Sequence, residues 1–241
     1  MNRFGFIYLG VFFLIISAFS FLHIIYSYYF NLYLNVDSYI YTLIISLVLG
    51  SLFLFKKRNE NKISIYNKIF TVIFGYFFIP LIISLPYYLS IYNITFLDCY
   101  FEAISGFTST GFSIFNNIKH LDESLILWRS TSQWIGGIYF LFSIILLIDI
   151  FDENLKKSLT NFLSFNTSEI LKQLIKILVL YTSLTFFIFI VLKLSNVRTF
   201  DSFNLSMTII SSGGFLPVND IGTILNTNIK EIVFSLLLLL S

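Results

Sequence analysis

The chain has 241 residues, of which 57% are hydrophobic and only 12% charged, with a formal net charge of +2. Soluble domains carry about 25% charged residues, so this composition excludes a mostly water-facing surface, and the small net charge gives nucleic acid no electrostatic hold. One cysteine, Cys99, and two histidines far apart in sequence, His23 and His120, supply neither a disulfide nor a metal cluster; no cofactor is expected.

A membrane-crossing helix needs about 20 mainly apolar residues. Segments 4–27, 36–55, 69–92 and 125–149 meet that requirement, and a fifth runs over 170–194. The first is too long for the apolar region of a signal peptide and is followed by no small-residue cleavage site, so it reads as a retained helix. Pro80 and Pro86 fall inside the third; a membrane helix tolerates them when neighbours satisfy the freed carbonyls. A sixth span begins near Ile229, and its residues up to Ser241 rise about 20 Å against a hydrocarbon core of about 30 Å, so the sequence is expected to stop within it.

Basic residues fix the orientation. Lys56, Lys57, Arg58, Lys62 and Lys68 lie between the second and third spans, and Lys156, Lys157, Lys172 and Lys176 around the link between the fourth and fifth. The positive-inside rule assigns both groups, and with them Arg3 and the N-terminus, to the cytoplasm of a multi-pass inner-membrane protein. Segments 93–124 and 195–228 then face outward.

These two outward segments carry the functional signal. Residues 96–107 are long enough for three helical turns, about half a membrane, and are followed by the hydroxyl-rich stretch Thr108-Ser109-Thr110-Gly111-Phe112. Irregular backbone at membrane depth survives only when buried in protein or lining a wet cavity. An extended strand there presents carbonyls that can replace the hydration shell of a cation, and the negative C-terminal end of the half-helix favours the same charge. A shift of 103 residues matches Asp98 to Asp201, Thr108 to Ser211, Ser109 to Ser212, Gly111 to Gly214 and Phe112 to Phe215. The chain thus repeats a unit of span, half-helix, glycine strand and span. Three domains are expected: a helix pair at 1–58, a first repeat at 59–150 and a second at 151–241.

Phe101-Glu102-Ala103-Ile104-Ser105-Gly106-Phe107-Thr108-Ser109-Thr110-Gly111 resembles the first pore helix and filter of the TrkH family, within the Trk/Ktr/HKT superfamily of K⁺ transporters. Leu127-Trp128-Arg129-Ser130-Thr131-Ser132-Gln133-Trp134-Ile135-Gly136-Gly137 resembles the start of that repeat's second helix, and Ser212-Gly213-Gly214-Phe215 the second filter. The resemblance implies an all-α polytopic membrane fold, with an N-terminal helix pair followed by span–pore-loop–span repeats, and K⁺ uptake driven by the membrane potential. It implies that Thr108, Ser109, Thr110 and Gly111 line one quarter of a filter and Ser211, Ser212, Gly213 and Gly214 another. Gly111 is paired with Gly214 by the internal repeat and with Gly213 by the motif, and the sequence leaves both open. Asp98 and Asp201, in the first turns of the half-helices, read as caps first and ion attractors second. Glu102 reads as a group that concentrates cations or anchors the filter through backbone amides, or else, the favoured reading, as a family-shared structural hydrogen bond. Arg129 reads as a partner for a carboxylate, and Trp128 and Trp134 as members of an interfacial belt.

Family members place four repeats around one pore, and two are here. The resemblance therefore implies, beside membrane lipid, a second chain or a second copy supplying the other two, together with a cytoplasmic nucleotide-binding TrkA-like regulator. The gating segment of a third repeat and the basic residue of a fourth are absent. After Gly137 the chain has Ile138-Tyr139-Phe140 where the family usually has another small residue, which puts helix packing there in question. A membrane enzyme would need acids, bases or metal ligands converging at membrane depth, which the spans lack. A non-conducting accessory protein accounts for the spans but not for the repeated half-helix and glycine strand.

Overall fold

The computed structural model describes residues 5–55, 65–147 and 170–240. Within them lie α1 (Gly5–Tyr29), α2 (Val36–Leu54), α3 (Ile65–Ile83), the single turn α4 (Leu85–Tyr88), α5 (Phe96–Phe107), α6 (Glu123–Leu147), α7 (Ile170–Leu194), α8 (Thr199–Ile210) and α9 (Asn228–Leu240). The described residues are helical with no strand, and five stretches are long and apolar enough to cross a membrane: Ile7–Tyr29, Tyr33–Leu54, Tyr66–Tyr88, Glu123–Leu147 and Gln173–Leu194. The expected domain boundaries near 58 and 150, Arg3 and most of the basic residues that orient the chain lie outside the described residues.

α6 is the central element. Of its most apolar window 72% is buried inside the protein, against 28% for α7. In lipid, apolar surface alone does not drive helices together, and close backbone approach and buried polar contacts decide which faces meet. α6 uses both. A Cβ on Gly136 would collide with the Phe107 carbonyl at the end of α5, and one on Gly137 with the Tyr181 hydroxyl of α7. Tyr139, the bulky residue at the helix crossing, is accommodated from the other side: Gly75 of α3 leaves room for its ring. The Tyr139 hydroxyl donates to the carbonyls of Thr71 (3.2 Å) and Val72 (3.0 Å).

The expected third span breaks between α3 and α4. Pro86 has no N–H to give the Ile82 carbonyl one turn back, and the Ile83 carbonyl at the break accepts from Trp128 Nε1 at 3.0 Å. Trp134 Nε1 donates to Thr185 Oγ1 of α7 at 3.0 Å. Both tryptophans are buried, at 0% and 5% exposure. The expectation of an interfacial belt is therefore corrected, because each indole N–H is committed to a neighbouring helix inside the bundle.

The N-terminal pair is joined at its own crossing by Gly10 and Gly50, where a Cβ on Gly10 would lie 3.1 Å from the Gly50 carbonyl oxygen. It is fixed to the first repeat at the end of the bundle where α6 begins. Asn35 Oδ1 accepts from Ile91 N (3.3 Å), and Tyr39 Oη meets Ser124 Oγ (3.1 Å), which itself donates to Asp122 Oδ2 (2.7 Å).

Candidate functional site

The half-helices α5 and α8 have the same length and lie 103 positions apart, and the equivalence extends through the segments that follow them. Each ends in a Schellman turn. In the first, Ser109 N donates to Gly106 O (3.0 Å) and Thr110 N to Ser105 O (2.9 Å); in the second, Ser212 N donates to Ile209 O (2.9 Å) and Gly213 N to Thr208 O (2.8 Å). Ser109 and Ser212 take φ of 56° and 50°, left-handed values costly for a residue with a side chain. Gly111 (φ 80°) and Gly214 (φ 132°) follow two residues later. Backbone conformation thus pairs Gly111 with Gly214 rather than with Gly213. Further on, Asn117 and Asp220 cap equivalent single 3-10 turns, Ile118–His120 and Ile221–Thr223, through their side-chain oxygens.

The two reversed segments meet at their glycines. A Cβ on Gly111 would lie 2.9 Å from the Gly214 α-carbon, and one on Gly214 3.1 Å from the Gly111 α-carbon. No carbonyl oxygen of Thr108, Ser109, Thr110, Gly111, Ser211, Ser212, Gly213 or Gly214 accepts a hydrogen bond from another described residue. Thr108, Thr110, Ser212 and Gly214 are exposed, whereas Ser211 and Gly213 are buried. The site is thus a pair of backbone turns with free carbonyls at the C-terminal, negative ends of two half-helices, the Thr108 and Ser211 hydroxyls donating back to their own helices. Among the described residues no cluster of His, Cys, Asp or Glu could hold a metal ion.

The turns are braced from α6. Gln133, fully buried, has its amide orientation set by its neighbours: Oε1 accepts from Phe215 N (2.8 Å) and Gly214 N (3.2 Å), and Nε2 donates to Thr208 Oγ1 (3.0 Å). The closest approach, Gly213 against the Gln133 amide, leaves no room for a side chain at 213. Gln133 of the first repeat therefore holds the strand of the second.

Glu102 and Arg129 brace both strands. They form a buried ion pair, Arg129 Nε to Glu102 Oε1 at 2.8 Å, with side-chain exposures of 1% and 0%. Glu102 also accepts from Ser113 Oγ (3.1 Å) and Ile114 N (2.8 Å), just past the first glycine. Arg129 donates from Nη2 to Ser113 Oγ (3.0 Å) and from Nη1 to the Leu216 carbonyl (3.3 Å), just past the second. Its guanidinium lies over the Phe215 ring, 4.3 Å from the centroid. Among the sequence readings of Glu102, the geometry favours a structural anchor: the carboxylate is fully buried, paired with Arg129 and bonded to Ser113 and Ile114.

Asp98 and Asp201 differ from simple caps. Thr95 is the cap residue of α5, its Oγ1 accepting from Asp98 N (3.3 Å) while donating to Asp98 Oδ2 (2.6 Å). α8 has no side-chain cap at Arg198, and Asp201 sits buried in its first turn. Arg198 instead reaches Glu123 at the start of α6 (2.6 Å), a hydrogen bond that raises the guanidinium pKa. Asn219 Nδ2 donates to Asn117 Oδ1 (2.8 Å), and Asn219 Oδ1 accepts from Ile118 N (2.7 Å), joining the loops that follow the two turns. The bracing roles of Gln133 and Asn219 have no sequence signature, since both depend on contacts between repeats.

Three comparisons place these features in a family. The sequence model of TrkH, described as a cation transport protein, matches residues 36–239. An uncharacterized cation transporter of Methanocaldococcus jannaschii is 32% identical over 167 residues, covering 62% of this chain and 33% of that protein. The Trk system potassium uptake protein TrkI of Halomonas elongata is 40% identical over 55 residues, 23% of this chain and 11% of that one. The crystal structure of the potassium transporter TrkH from Vibrio parahaemolyticus superposes on the whole chain with a TM-score of 0.74 at 22% identity, over 50% of its own length, a likeness of fold. This chain thus spans half or less of the proteins it matches. With its all-helical membrane architecture and paired glycine turns, the chain belongs to the TrkH family of cation transport proteins, a family of transporters and not of enzymes.

Proposed function

We propose that this chain is the pore-forming half of a TrkH-like K⁺ uptake system, in which Thr108, Ser109, Thr110 and Gly111, with Ser211, Ser212, Gly213 and Gly214, line two quarters of a carbonyl filter. The observation that carries the reading is the repetition, 103 positions apart, of a Schellman-terminated half-helix, a left-handed serine and a positive-φ glycine, with free carbonyls along both turns. Carbonyl oxygens are the ligands that replace water around K⁺, and the membrane potential, worth about 2.3 kcal/mol per charge per 100 mV, supplies the drive for inward movement. Asp98, Glu102 and Asp201 support the half-helices rather than touch the ion. In this reading the N-terminus is cytoplasmic, the turns face outward, the remaining quarters come from further repeats, and a TrkA-like regulator docks from the cytoplasm.

The contact between Gly111 and Gly214 favours a second reading for the chain on its own: with these strands closed on each other, the half by itself does not conduct. The test is growth on limiting K⁺ in a cell lacking its own uptake systems. The chain is expressed alone and together with the half of Vibrio parahaemolyticus TrkH that it does not cover. Rescue by the pair, lost on Gly111→Ala, is the expected result. Equal growth with and without Gly111, or no rescue by the pair once both are found in the membrane, rejects conduction.

A further inference from the structure

The two repeats differ in how their filter strands are held, and the difference says what must stand beside them. The second strand is received by the first repeat. Phe215 is 1% exposed, the edge of its ring sharing with the Ser132 hydroxyl the space left by Gly106. Its N–H donates to Gln133, and Arg129 covers its ring. The first strand has no such receiver. Phe112, the equivalent of Phe215, is 69% exposed, and among the described residues its N–H donates to no group.

The same operation that relates the first repeat to the second shows whether a second copy of this chain could be that receiver. In such a pair, Phe112 of one copy would lie against the second repeat of the other. There Ile209 stands where Gly106 stands in the first repeat, and it is already packed, 1% exposed, among Leu205, Ile224 and Leu225. Leu205 replaces Glu102. On α9 a shift of 103 or 104 puts Ile232 or Val233 at the place of Arg129, and Leu236 or Leu237 at the place of Gln133. A second copy therefore offers no hole for the ring, no acceptor for the N–H and no cation for the aromatic face.

We propose that Phe112 is the docking anchor for a non-identical repeat, one bearing a small residue where Gly106 stands here and a side-chain acceptor where Gln133 stands here, and that Ile209 bars a second copy from that place. The inference rests on the reading of the chain as part of a ring of repeats and decides between the two ways of completing it. Phe112 is on the surface, so removing its ring leaves the fold of the chain alone undisturbed. The expected occupant buries it as the first repeat buries Phe215.

The test uses the full chain in detergent micelles, with light scattering for its mass and co-purification with the uncovered half of Vibrio parahaemolyticus TrkH as the probe. The chain alone is expected to be monomeric and to bind that half one to one. Phe112→Ala is expected to weaken capture by roughly tenfold or more, as truncation of a central aromatic anchor does. Ile209→Ala, which opens the blocked place, is expected to permit self-association that Phe112→Ala removes. Dimers of the unaltered chain that depend on Phe112, capture that ignores Phe112, or no capture at all would each overturn the proposal. Ile209→Ala that stays monomeric while melting like the parent removes the role given to Ile209. Capture is read without ion flux. A Phe112-dependent complex that fails to rescue growth therefore refutes conduction alone, and rescue by a self-dimer refutes this inference alone.

Discussion

The buried Glu102–Arg129 pair makes a quantitative prediction. Glu102→Gln keeps the volume of the side chain and removes its charge. The carboxylate now accepts from Arg129 Nε, Ser113 Oγ and Ile114 N. A glutamine whose oxygen faces Arg129 and Ser113 turns its NH₂ toward the Ile114 N–H, a donor against a donor. Removing one partner of a buried pair costs about 3–5 kcal/mol because the other charge is left uncompensated, and the orphaned amide accounts for about 1–3 kcal/mol of that. Arg129→Met strands Glu102 in the same way and also leaves the Leu216 carbonyl without its donor. The double variant has no uncompensated charge, so its cost falls below the sum of the two, with a coupling of at least about 2 kcal/mol. The assay is reversible unfolding in mixed detergent micelles followed by tryptophan fluorescence. The chain's two tryptophans, Trp128 and Trp134, are both buried on α6, the helix that carries Arg129, and report its unfolding. Single-variant costs that add to within about 0.5 kcal/mol would refute the argument that one pair braces both strands.

Four further outcomes follow from the same contacts. Gly136→Ala drives a methyl into the Phe107 carbonyl and is expected to destabilise by about 1–3 kcal/mol, as overpacking does, read as a lower melting temperature. Trp128→Phe leaves the Ile83 carbonyl without its donor, for about 1–3 kcal/mol in the same assay. Tyr139→Phe loses a hydroxyl shared between two carbonyls and should cost about 0.5–1.5 kcal/mol. Arg198→Ala breaks an ion pair whose side chains are 64% and 37% exposed and is expected to cost no more than about 1 kcal/mol because solvent screens it, read as a melting shift.

Local pattern made much of this molecule readable in one dimension. Long apolar runs specify spanning helices because lipid admits no unsatisfied backbone. The stretch 96–107 was legible as a half-helix because a hydroxyl-rich, glycine-containing segment ends it, whereas its cap residue, Thr95, emerged only in the structure. The offset of 103 was legible because the rare acids and glycines recur at it. The third span was less so: the carbonyl at its break after Ile83 is satisfied by a tryptophan 45 positions away. The tryptophans were misplaced for a related reason, since an amphipathic ring suits an interface and a buried donor site equally well, and only the neighbouring helix distinguishes them.

The sequence by itself determined the class of the molecule, its repeated half-helices and which turns present glycine and hydroxyl groups, because helix length, capping and positive-φ demands are properties of a few adjacent residues. Tertiary structure alone decided what holds those turns. Gln133 lies 81 positions from Gly214 and Arg129 lies 87 from Leu216, and neither bond exists until two repeats are packed together. It alone also distinguished Phe215, buried by the repeat before it, from the exposed Phe112: burial is a relation between two surfaces, and equivalent residues acquire it only where a neighbour is present.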